Sequence, residues 1–430
     1  MTDNNTSQTQ TTQPRRVRWS WFPSLLFGDG LLPSIFTLTM VMFRRYGLNN
    51  AQIALCISIL SIPFILRPLF EMAVAHFRGT NKVWILSSEF IAALSLWAIA
   101  FTLPTDYWWH ATMCFMPFVV VSGVFYRIAA DRFYVDDTAA MPPSRHTLAT
   151  LFRYSALLFG IGAVVMLAGN MEVITRNTRY SWSLVFYIMA GVEFFLWLWH
   201  SIFLPGTPPR HISKDIFGLH RSEYGSVADS MTQGFRNRFM LYFIVLFIIP
   251  EAFMSVVTPL FLVDAPHNGG LGLSPQEFGL AYGTVGVIGL FAGSILGYQI
   301  IRLHGLRAWM LPMAMLSAVH GMAALYLSSH LSAPLGIVCI TLLAANTSLG
   351  LGLSAYSSAI ERFAAASRGT VLRHAIASGI VALTSVLAGI CSGLLQMDIG
   401  YRQFFMLAIA LYAATITAAG VYTFAKSTRL

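Results

Sequence analysis

The sequence predicts an all-α integral membrane protein with twelve transmembrane helices in two halves of six. Of its 430 residues, 56% are hydrophobic and only 10% are charged, and the mean hydropathy is +0.65. Soluble domains carry about 25% charged residues, so this chain needs lipid around it. Twelve stretches are apolar over the roughly 20 residues that a spanning helix requires. The single long polar connection, 205–236, separates six stretches from the other six.

The boundaries of the predicted elements follow from this hydropathy. The twelve predicted spans are 20–43, 51–77, 83–103, 111–130, 147–169, 183–204, 237–263, 275–301, 308–329, 334–359, 373–396 and 403–425. We therefore expect a disordered tail at 1–19, an N-terminal bundle at 20–204, a central loop at 205–236, a C-terminal bundle at 237–425 and a short tail at 426–430. The first tail is rich in Thr and Gln and has too few apolar residues to fold.

Lysine and arginine residues predict the orientation, because cytoplasmic loops are enriched in them. Twenty of the 27 basic residues fall in the two tails and the even-numbered loops, five fall in the odd-numbered loops, and Arg67 and Arg153 fall within spans. This distribution places both termini in the cytoplasm. It also accounts for the net charge of +9, so we expect no nucleic-acid partner.

The two halves resemble each other in sequence. GLNNAQIAL begins at Gly47 and GLSPQEFGL begins at Gly272, an offset of 225 residues, and Lys82–Trp84 matches Arg307–Trp309 at the same offset. Each copy opens with a capping box, Asn49 with Gln52 and Ser274 with Glu277. Two parallel six-helix repeats are the arrangement of major facilitator transporters, in which the substrate binds between the halves near the middle of the membrane.

Asp29 is the most informative residue of the first span. It lies about nine residues, or about 14 Å, into a helix that rises 1.5 Å per residue, which places its carboxylate near mid-membrane. Gly28 and Gly30 allow another backbone or a ligand to approach, and Pro33 leaves a carbonyl without its helical partner. Two interpretations stay open: Asp29 handles a proton or a substrate, or it pairs with an arginine to hold two helices together.

Further charged residues lie within predicted spans, where they are expensive unless they are paired or functional. Arg67 and Glu71 are four residues apart on one helix, so they can pair with each other or reach Asp29. Arg67 and Arg153 are the candidate partners of Asp29 when no substrate is bound. Glu89 either has a role in the interior or extends toward the cytoplasm, whereas Glu193 and Glu251 either line a cavity or pair across helices. Asp29, Arg67 and Glu71 have apolar counterparts at the offset of 225, so we expect ion coupling in the N-terminal half.

Other chemistries have little support. The four cysteines are widely spaced, with no CxxC or Cys/His cluster, so neither a disulfide framework nor a zinc site is expected. No phosphate-binding glycine loop or nucleophile elbow is found, and we predict neither enzyme activity nor a cofactor. His320 and His374 are expected to be packing residues, and the aromatic run Tyr107–Trp109 is expected at the membrane interface.

Helix 4 and its neighbours resemble a known family. RIAADRFYV (Arg127–Val135), the following helix with Arg153, and RHAIASGIVALTSVLAGICSGLLQMDIGYRQFF are similar to segments of AmpG-type muropeptide permeases, a branch of the major facilitator superfamily. The resemblance implies proton-driven import of N-acetylglucosamine–anhydro-muramyl peptides across a bacterial inner membrane. In this chain Arg127 replaces an acidic residue of the family, Arg67 stands where the family has lysine, and the aspartate expected at the end of helix 2 is absent.

The sequence as a whole predicts a monomeric, proton-coupled transporter that works by alternating access, with a small-molecule substrate, protons and membrane lipid as its partners. Alternatives are a related transporter of a siderophore, a peptide or an acyl-CoA-like solute, and a membrane sensor that binds a ligand without moving it. Three roles are predicted: proton coupling for Asp29 and Asp131; substrate binding for Arg67, Glu71, Arg153, Glu193 and Glu251; and conformational gating for Arg127, Lys82 and Arg307.

Overall fold

A computed structural model describes residues 21–76, 80–138, 144–206, 238–365 and 370–424. The predicted tails 1–19 and 426–430 lie outside these residues, as does the central loop beyond Gly206. The described chain is helical almost throughout. Ten of its helices are long and apolar enough to cross a membrane, or eleven when one bent pair counts as a span. The last of them, Thr370–Phe424, breaks at Gly400, where φ is 77°, so it supplies two spans and the total is twelve.

The six helices of the N-terminal half keep the predicted order. They are α1 (Phe22–Arg45), α2 (Asn50–Leu60, Ile62–Ile65 and Arg67–His76), α3 (Asn81–Thr102), α4 (Trp108–Thr138), α5 (Ser144–Leu157, Leu158–Val164 and Val165–Thr175) and α6 (Thr178–Phe203). The segments of α2 are bent by 42°, where Pro63 and Pro68 each remove a backbone donor. The middle segment of α5 is a π-helix.

The C-terminal half contains the other six. They are α7 (Arg238–Val263), α8 (Pro275–Phe278, Gly279–Gly286 and Val287–His304), α9 (Leu306–Ser329), α10 (Leu335–Ala365), α11 (370–399) and α12 (401–424). The helices α4, α5 and α10 extend beyond the predicted spans. Both capping boxes form as the sequence predicts, Asn49 with Gln52 at the start of α2 and Ser274 with Glu277 at the start of α8.

The two halves meet along three helix pairs, α2 with α11, α5 with α8, and α1 with α7. We call the face where α1 begins the terminal side and the opposite face the distal side. The π-helical segments of α5 and α8 cross so closely that a Cβ added to Gly283 would lie 2.3 Å from the carbonyl oxygen of Ile161. Glycine is required there because a side chain would separate the two backbones.

A polar network joins the halves at the distal side. The Asp264 carboxylate, just after α7, forms an ion pair with Arg44 at the end of α1. It also accepts hydrogen bonds from the Asn50 amide at 3.2 Å and the Tyr401 hydroxyl at 2.8 Å. Asn50 further donates to Gln396 at 2.8 Å. The Asp264 side chain is only 3% exposed, so this network closes the distal side between the halves.

Asp264 lies outside the spanning helices and titrates below its usual range. Burial acts to raise its pKa, but hydrogen bonds from Asn268 and Tyr401, the charge of Arg44 and the Asn50 hydrogen bond outweigh burial. The pKa of Asp264 is therefore held below its ordinary value of 3.8, and the carboxylate is ionised at physiological pH.

Candidate functional site

A central cavity of about 460 Å³ lies between the halves, toward the terminal side of the π-helical crossing. It is lined by residues of α1, α4, α5, α8 and α10. The walls are mixed in character, with three tyrosines and several hydroxyl side chains beside aliphatic ones. The charged residues that line it are Asp29, Arg127, Arg153 and Glu361. A cavity of this volume, contributed by both halves, is within the usual size range of small-molecule sites.

Asp29 lies in the wall of this cavity between two arginines. Its carboxylate is 2.6 Å from Nε of Arg153 and 3.2 Å from Nε of Arg127, and its side chain is 3% exposed. Neither carboxylate oxygen has a well-aligned hydrogen bond, so charge rather than hydrogen-bond geometry holds the three groups together. The two arginine side chains are each 40% exposed, and they can therefore also reach an anion in the cavity.

The glycines beside Asp29 have the role that the sequence predicts. A Cβ on Gly30 would lie 2.3 Å from the carbonyl oxygen of Arg153, and one on Gly28 would lie 2.4 Å from the hydroxyl of Tyr126. Helix α1 therefore packs closely against α5 and α4. This packing brings Asp29 within reach of arginines that are 98 and 124 positions away in sequence.

A chain of alternating charges extends from this centre toward the terminal side. Asp131 is 3.4 Å from Arg153 and 3.0 Å from Arg67, so it links the cavity to α2. Arg67 is 3.9 Å from Glu71, as their spacing predicts. The main partner of Glu71 is Arg132, whose guanidinium lies 2.7 Å away; sequence reasoning did not assign Arg132 a role.

The remaining predicted residues lie outside the central cavity lining. Glu251 on α7 accepts from Tyr412 and lies 2.9 Å from Nδ1 of His320. Lys82 donates to the carbonyl oxygens of Ser201 at 2.9 Å and Leu204 at 2.7 Å, at the end of α6. Each of these contacts stays within one half.

Arg307 likewise contacts the last helix of its own half, where its Nε donates to the carbonyl oxygen of Thr423 at 2.8 Å. Lys82 and Arg307 thus occupy matching places, each beside the carboxyl end of the last helix of its own half. Their predicted part in gating remains a prediction.

Glu89 does not extend toward the cytoplasm, which corrects one of the two expectations for it. Its side chain is 1% exposed, and Oε1 lies 2.5 Å from Nδ1 of His200 on α6. His200 is 111 positions further along the chain, so no local pattern could have revealed the pair. Glu193, also on α6, lines a second and smaller cavity together with Glu89 and Asp29.

One cross-half contact within the central cavity was also missed by sequence reasoning. The hydroxyls of Tyr154 on α5 and Ser294 on α8 are 2.9 Å apart. Both residues line the cavity, so this hydrogen bond joins the two halves directly at its wall. A tyrosine and a serine in apolar helices carry no signal of such pairing, because it depends on how the halves are packed.

Comparisons with known proteins identify the fold. No protein-family model matches the chain, and no curated protein matches it. The solved structure of the nucleoside transporter NupG is similar, with a TM-score of 0.62, 16% identity and coverage of 95% of this chain and 99% of that one.

Two structures of peptide transporters are similar to the same degree. A structure of proton-dependent oligopeptide transporters aligns with a TM-score of 0.66 and 15% identity over 94% of this chain and 97% of that one. A bacterial homologue of the human peptide transporters PepT1 and PepT2 aligns with a TM-score of 0.66 and 14% identity over 94% and 96%. The chain thus shares the fold of these solved transporter structures, the major facilitator fold.

Proposed function

We propose that the protein is a proton-coupled secondary transporter that imports an anionic, peptide-bearing solute by alternating access. The observation that carries this proposal is the charged centre in the wall of the central cavity, where the single carboxylate of Asp29 pairs with both Arg127 and Arg153. A buried charge cluster of this kind is costly unless it is used or fully paired. Here the two arginines are open to the cavity, which indicates that they are used.

The mechanism follows from the competition for the two arginines. When Asp29 is ionised it occupies both guanidinium groups, so a carboxylate of the substrate competes with it. When Asp29 takes up a proton, Arg127 and Arg153 are left with excess positive charge beside the cavity. A substrate anion then neutralises them, and binding of the proton and binding of the substrate favour each other.

The charge chain connects this event to the rest of the N-terminal half. Arg153 also contacts Asp131, and Asp131 contacts Arg67. A shift of Arg153 toward a substrate therefore changes the pairing of Asp131, our second candidate for proton coupling. Arg67, Glu71, Glu193 and Glu251 do not line the central cavity, and their predicted part in substrate binding remains a prediction.

Our preferred cargo is an anhydro-muropeptide, which carries both a peptide and free carboxylates. The resemblance of RIAADRFYV and of the segment around Arg153 to AmpG-type permeases supports this cargo. Arg127, which replaces an acidic residue of that family, adds a second positive group to the cavity and favours an anion. The basic residues of the loops support an orientation with both termini in the cytoplasm. The resemblance to AmpG-type permeases supports a location in a bacterial inner membrane and import driven by the inward proton gradient.

The test is uptake of labelled anhydro-muropeptide into proteoliposomes under an imposed inward proton gradient. We expect the wild type to accumulate the label and an uncoupler to abolish accumulation. The Asp29→Asn variant should lower gradient-driven uptake by at least about tenfold, the effect of ~1.4 kcal/mol, because its side chain cannot take up and release a proton. Exchange of internal for external substrate should survive, since exchange needs no net release of the proton.

Asp106→Asn is the matched control. Asp106 is a carboxylate on the distal surface, 95% exposed and paired with the exposed Arg179, so the substitution should leave uptake unchanged. Wild-type uptake that persists in Asp29→Asn would contradict the coupling role and assign Asp29 to helix packing. Folded wild type that neither takes up nor exchanges the label would contradict the cargo, and then siderophores, simple peptides and acyl-CoA-like solutes are the next probes. A cargo that binds without crossing the membrane would indicate a sensor.

A further inference from the structure

A second cavity lies inside the N-terminal half, behind the charged centre. It has a volume of about 40 Å³ and is lined by residues of α1, α2, α3, α4 and α6. This is enough room for a water molecule. Asp29 and Arg127 line both this cavity and the central one, so they form the partition between the two. The small cavity therefore gives access to Asp29 from the side that faces away from the substrate.

Two carboxyl groups without an arginine or lysine partner among the described residues line this small cavity. Glu193 is 8% exposed, and among the described residues no hydrogen bond or ion pair is found for its side chain. Glu89 is 2% exposed, and its Oε2 atom is buried with no hydrogen-bond partner. No arginine or lysine in the described part of the chain lies within 4 Å of either carboxyl group. Their arrangement contrasts with that of Asp29, Asp131 and Glu71, each of which contacts an arginine.

The hydrogen-bond arrangement that satisfies Trp21, Ser24 and His200 together assigns one proton to the contact between His200 and Glu89. The Trp21 carbonyl can only accept, so the Ser24 hydroxyl, 2.9 Å away, donates its hydrogen there. Ser24 then accepts from Nε2–H of His200, at 2.9 Å. Nδ1 of His200 is 2.5 Å from Oε1 of Glu89, a distance that requires a hydrogen between them. Either His200 is an imidazolium facing a carboxylate, or neutral His200 accepts from a protonated Glu89.

In either case Glu89 and His200 together carry no net charge. The charge that remains is that of Glu193, which shares the cavity with Glu89. Burial disfavours the ionised form of the Glu193 carboxyl group, because no arginine or lysine of the described residues lies beside it. The charged and titratable groups that face this region from the surrounding helices are Asp29 on α1, Lys82 on α3, Tyr126 and Arg127 on α4, and Arg153 on α5.

We propose that Glu193 and the Glu89–His200 pair form the site that holds the transported proton before it reaches Asp29. This inference rests on the proposed function and adds to it the residues that store the proton. In the loaded state, the Glu193 carboxyl group is protonated beside the neutral Glu89–His200 pair. Transfer moves that proton from Glu193 to a water in the small cavity while this water gives a proton to the Asp29 carboxylate. Glu193 becomes ionised, Asp29 becomes neutral, and the total charge is unchanged.

The position of the site gives this transfer a direction. The partition formed by Asp29 and Arg127 keeps the proton store separate from the substrate cavity. A proton that crosses the partition to Asp29 weakens its pairing with Arg127 and Arg153, and this frees the two arginines for a substrate anion. The store is thus coupled to substrate binding without any direct contact between the proton and the substrate.

The first test does not depend on the cargo. Infrared difference spectra of the purified full-length protein in lipid, recorded during a pH change, detect the C=O stretch of a protonated carboxyl group. We expect wild type to show such a band at neutral pH and to lose it in alkaline solution. Glu193→Gln should remove most of this band, and Glu89→Gln should shift it, because Glu193 then lacks the neighbouring carboxyl group. Asp106→Asn should leave it unchanged, and circular dichroism with size-exclusion chromatography establishes that each variant is folded.

Three results would overturn the proposal. One is the absence of a protonated-carboxyl band in wild type at neutral pH, and another is a band that both variants retain. The third is a band that sodium ions abolish at constant pH, which would assign the two carboxyl groups to a metal cation instead.

The second test uses transport and separates this inference from the proposed function. Glu193→Gln should lower gradient-driven accumulation of anhydro-muropeptide by about tenfold or more, with exchange preserved. If the infrared results are as expected but no muropeptide is transported by wild type, the proton store stands and the cargo is wrong. If muropeptide accumulates equally in wild type and Glu193→Gln, the cargo stands and the proton store is wrong.

Discussion

Asp264→Asn should loosen the closure of the distal side. The substitution keeps the shape of the side chain and its capacity to accept from Tyr401 and Asn50, but it removes the negative charge that faces Arg44. Because these contacts join the two halves, their loss weakens the state in which the distal side is closed. Within the C-terminal half only the short-range bonds that Asp264 accepts from Ala265, Asn268 and Tyr401 are altered, so the two bundles should remain folded.

The magnitude can be estimated from the burial of the two partners. Removing one member of a fully buried ion pair costs about 3–5 kcal/mol, because the other charge is left unpaired. The Asp264 side chain is 3% exposed, but that of Arg44 is 18% exposed, so water solvates part of the remaining charge. The amide also keeps part of the hydrogen bonding. We therefore expect about 2 kcal/mol, which lowers the ratio of closed to open distal side by about 30-fold, since ~1.4 kcal/mol is a factor of ten.

Distances between spin labels across the distal opening measure this ratio. Thr105, in the loop after α3, and Ser332, in the loop after α9, are exposed on the two halves, and labels there report on their separation. The exposed native cysteines Cys114 and Cys391 must be replaced first. We expect Asp264→Asn to add a population at longer distance that wild type lacks. Asp106→Asn, which breaks an exposed distal ion pair within one half, should add none.

A double substitution tests the assignment to the ion pair. If the charge of Asp264 acts through Arg44, the effects of Arg44→Gln and Asp264→Asn on the free energy of distal opening should not be additive. The double variant should then show a smaller effect than the sum of the two single variants, and the difference is the energy of the ion pair. Fully additive effects, or a distance distribution in Asp264→Asn identical to that of wild type, would refute the reasoning that this ion pair holds the halves together.

Two further outcomes follow from the same interface. The distal network should be insensitive to pH from about pH 5 to pH 8, because the pKa of Asp264 lies below its ordinary value of 3.8. The stabilisation by the Asp264 carboxylate is fully present above pH 3.8 and is lost as the pH falls through the lowered pKa. Distances between the spin labels, measured against pH, test this expectation. Gly283→Ala should lower the free energy of unfolding by about 1–3 kcal/mol and increase distal opening, because the added methyl group meets the Ile161 carbonyl. Gly191→Ala is the control, since a Cβ at Gly191 has no neighbour within 4 Å, and it should be neutral or stabilising in a melting experiment.

The parts of the structure that could be predicted are those set by local physics. Span number follows from hydropathy, and the capping boxes at Asn49 and Ser274 form because each depends on residues three positions apart. The glycines around Asp29 predicted close approach of another backbone, and the Arg153 carbonyl makes it. The partners in the capping boxes are three residues apart. The prediction for the glycines required only that some backbone approaches, and not which one.

The identity of long-range partners could not be predicted in the same way. The sequence suggested Arg67 or Arg153 as partners of Asp29, but Arg127 is the second one because α1 packs between α4 and α5. Glu89 was expected either in the interior or near the surface, and His200 on α6 fixes it in the interior. A single sequence shows that each buried charge is energetically unfavourable without a partner, but it does not show which helix supplies that partner. The pairing is determined by how the helices of the bundle pack.

The two halves also differ in how completely their buried acids are paired, and this difference bears on where coupling takes place. In the C-terminal half, both oxygens of Glu251 have partners, one in Tyr412 and one in His320. In the N-terminal half, one oxygen of Glu89 has none, and the buried Glu193 side chain makes no hydrogen bond or ion pair among the described residues. A fully paired acid stabilises one arrangement of helices, whereas a partly paired acid in a cavity has a protonation state that can change at low cost. The sequence places more charged residues within the spans of the N-terminal half, and the structure shows that the carboxyl groups without full pairing also lie there. This difference between the halves supports proton coupling in the N-terminal half.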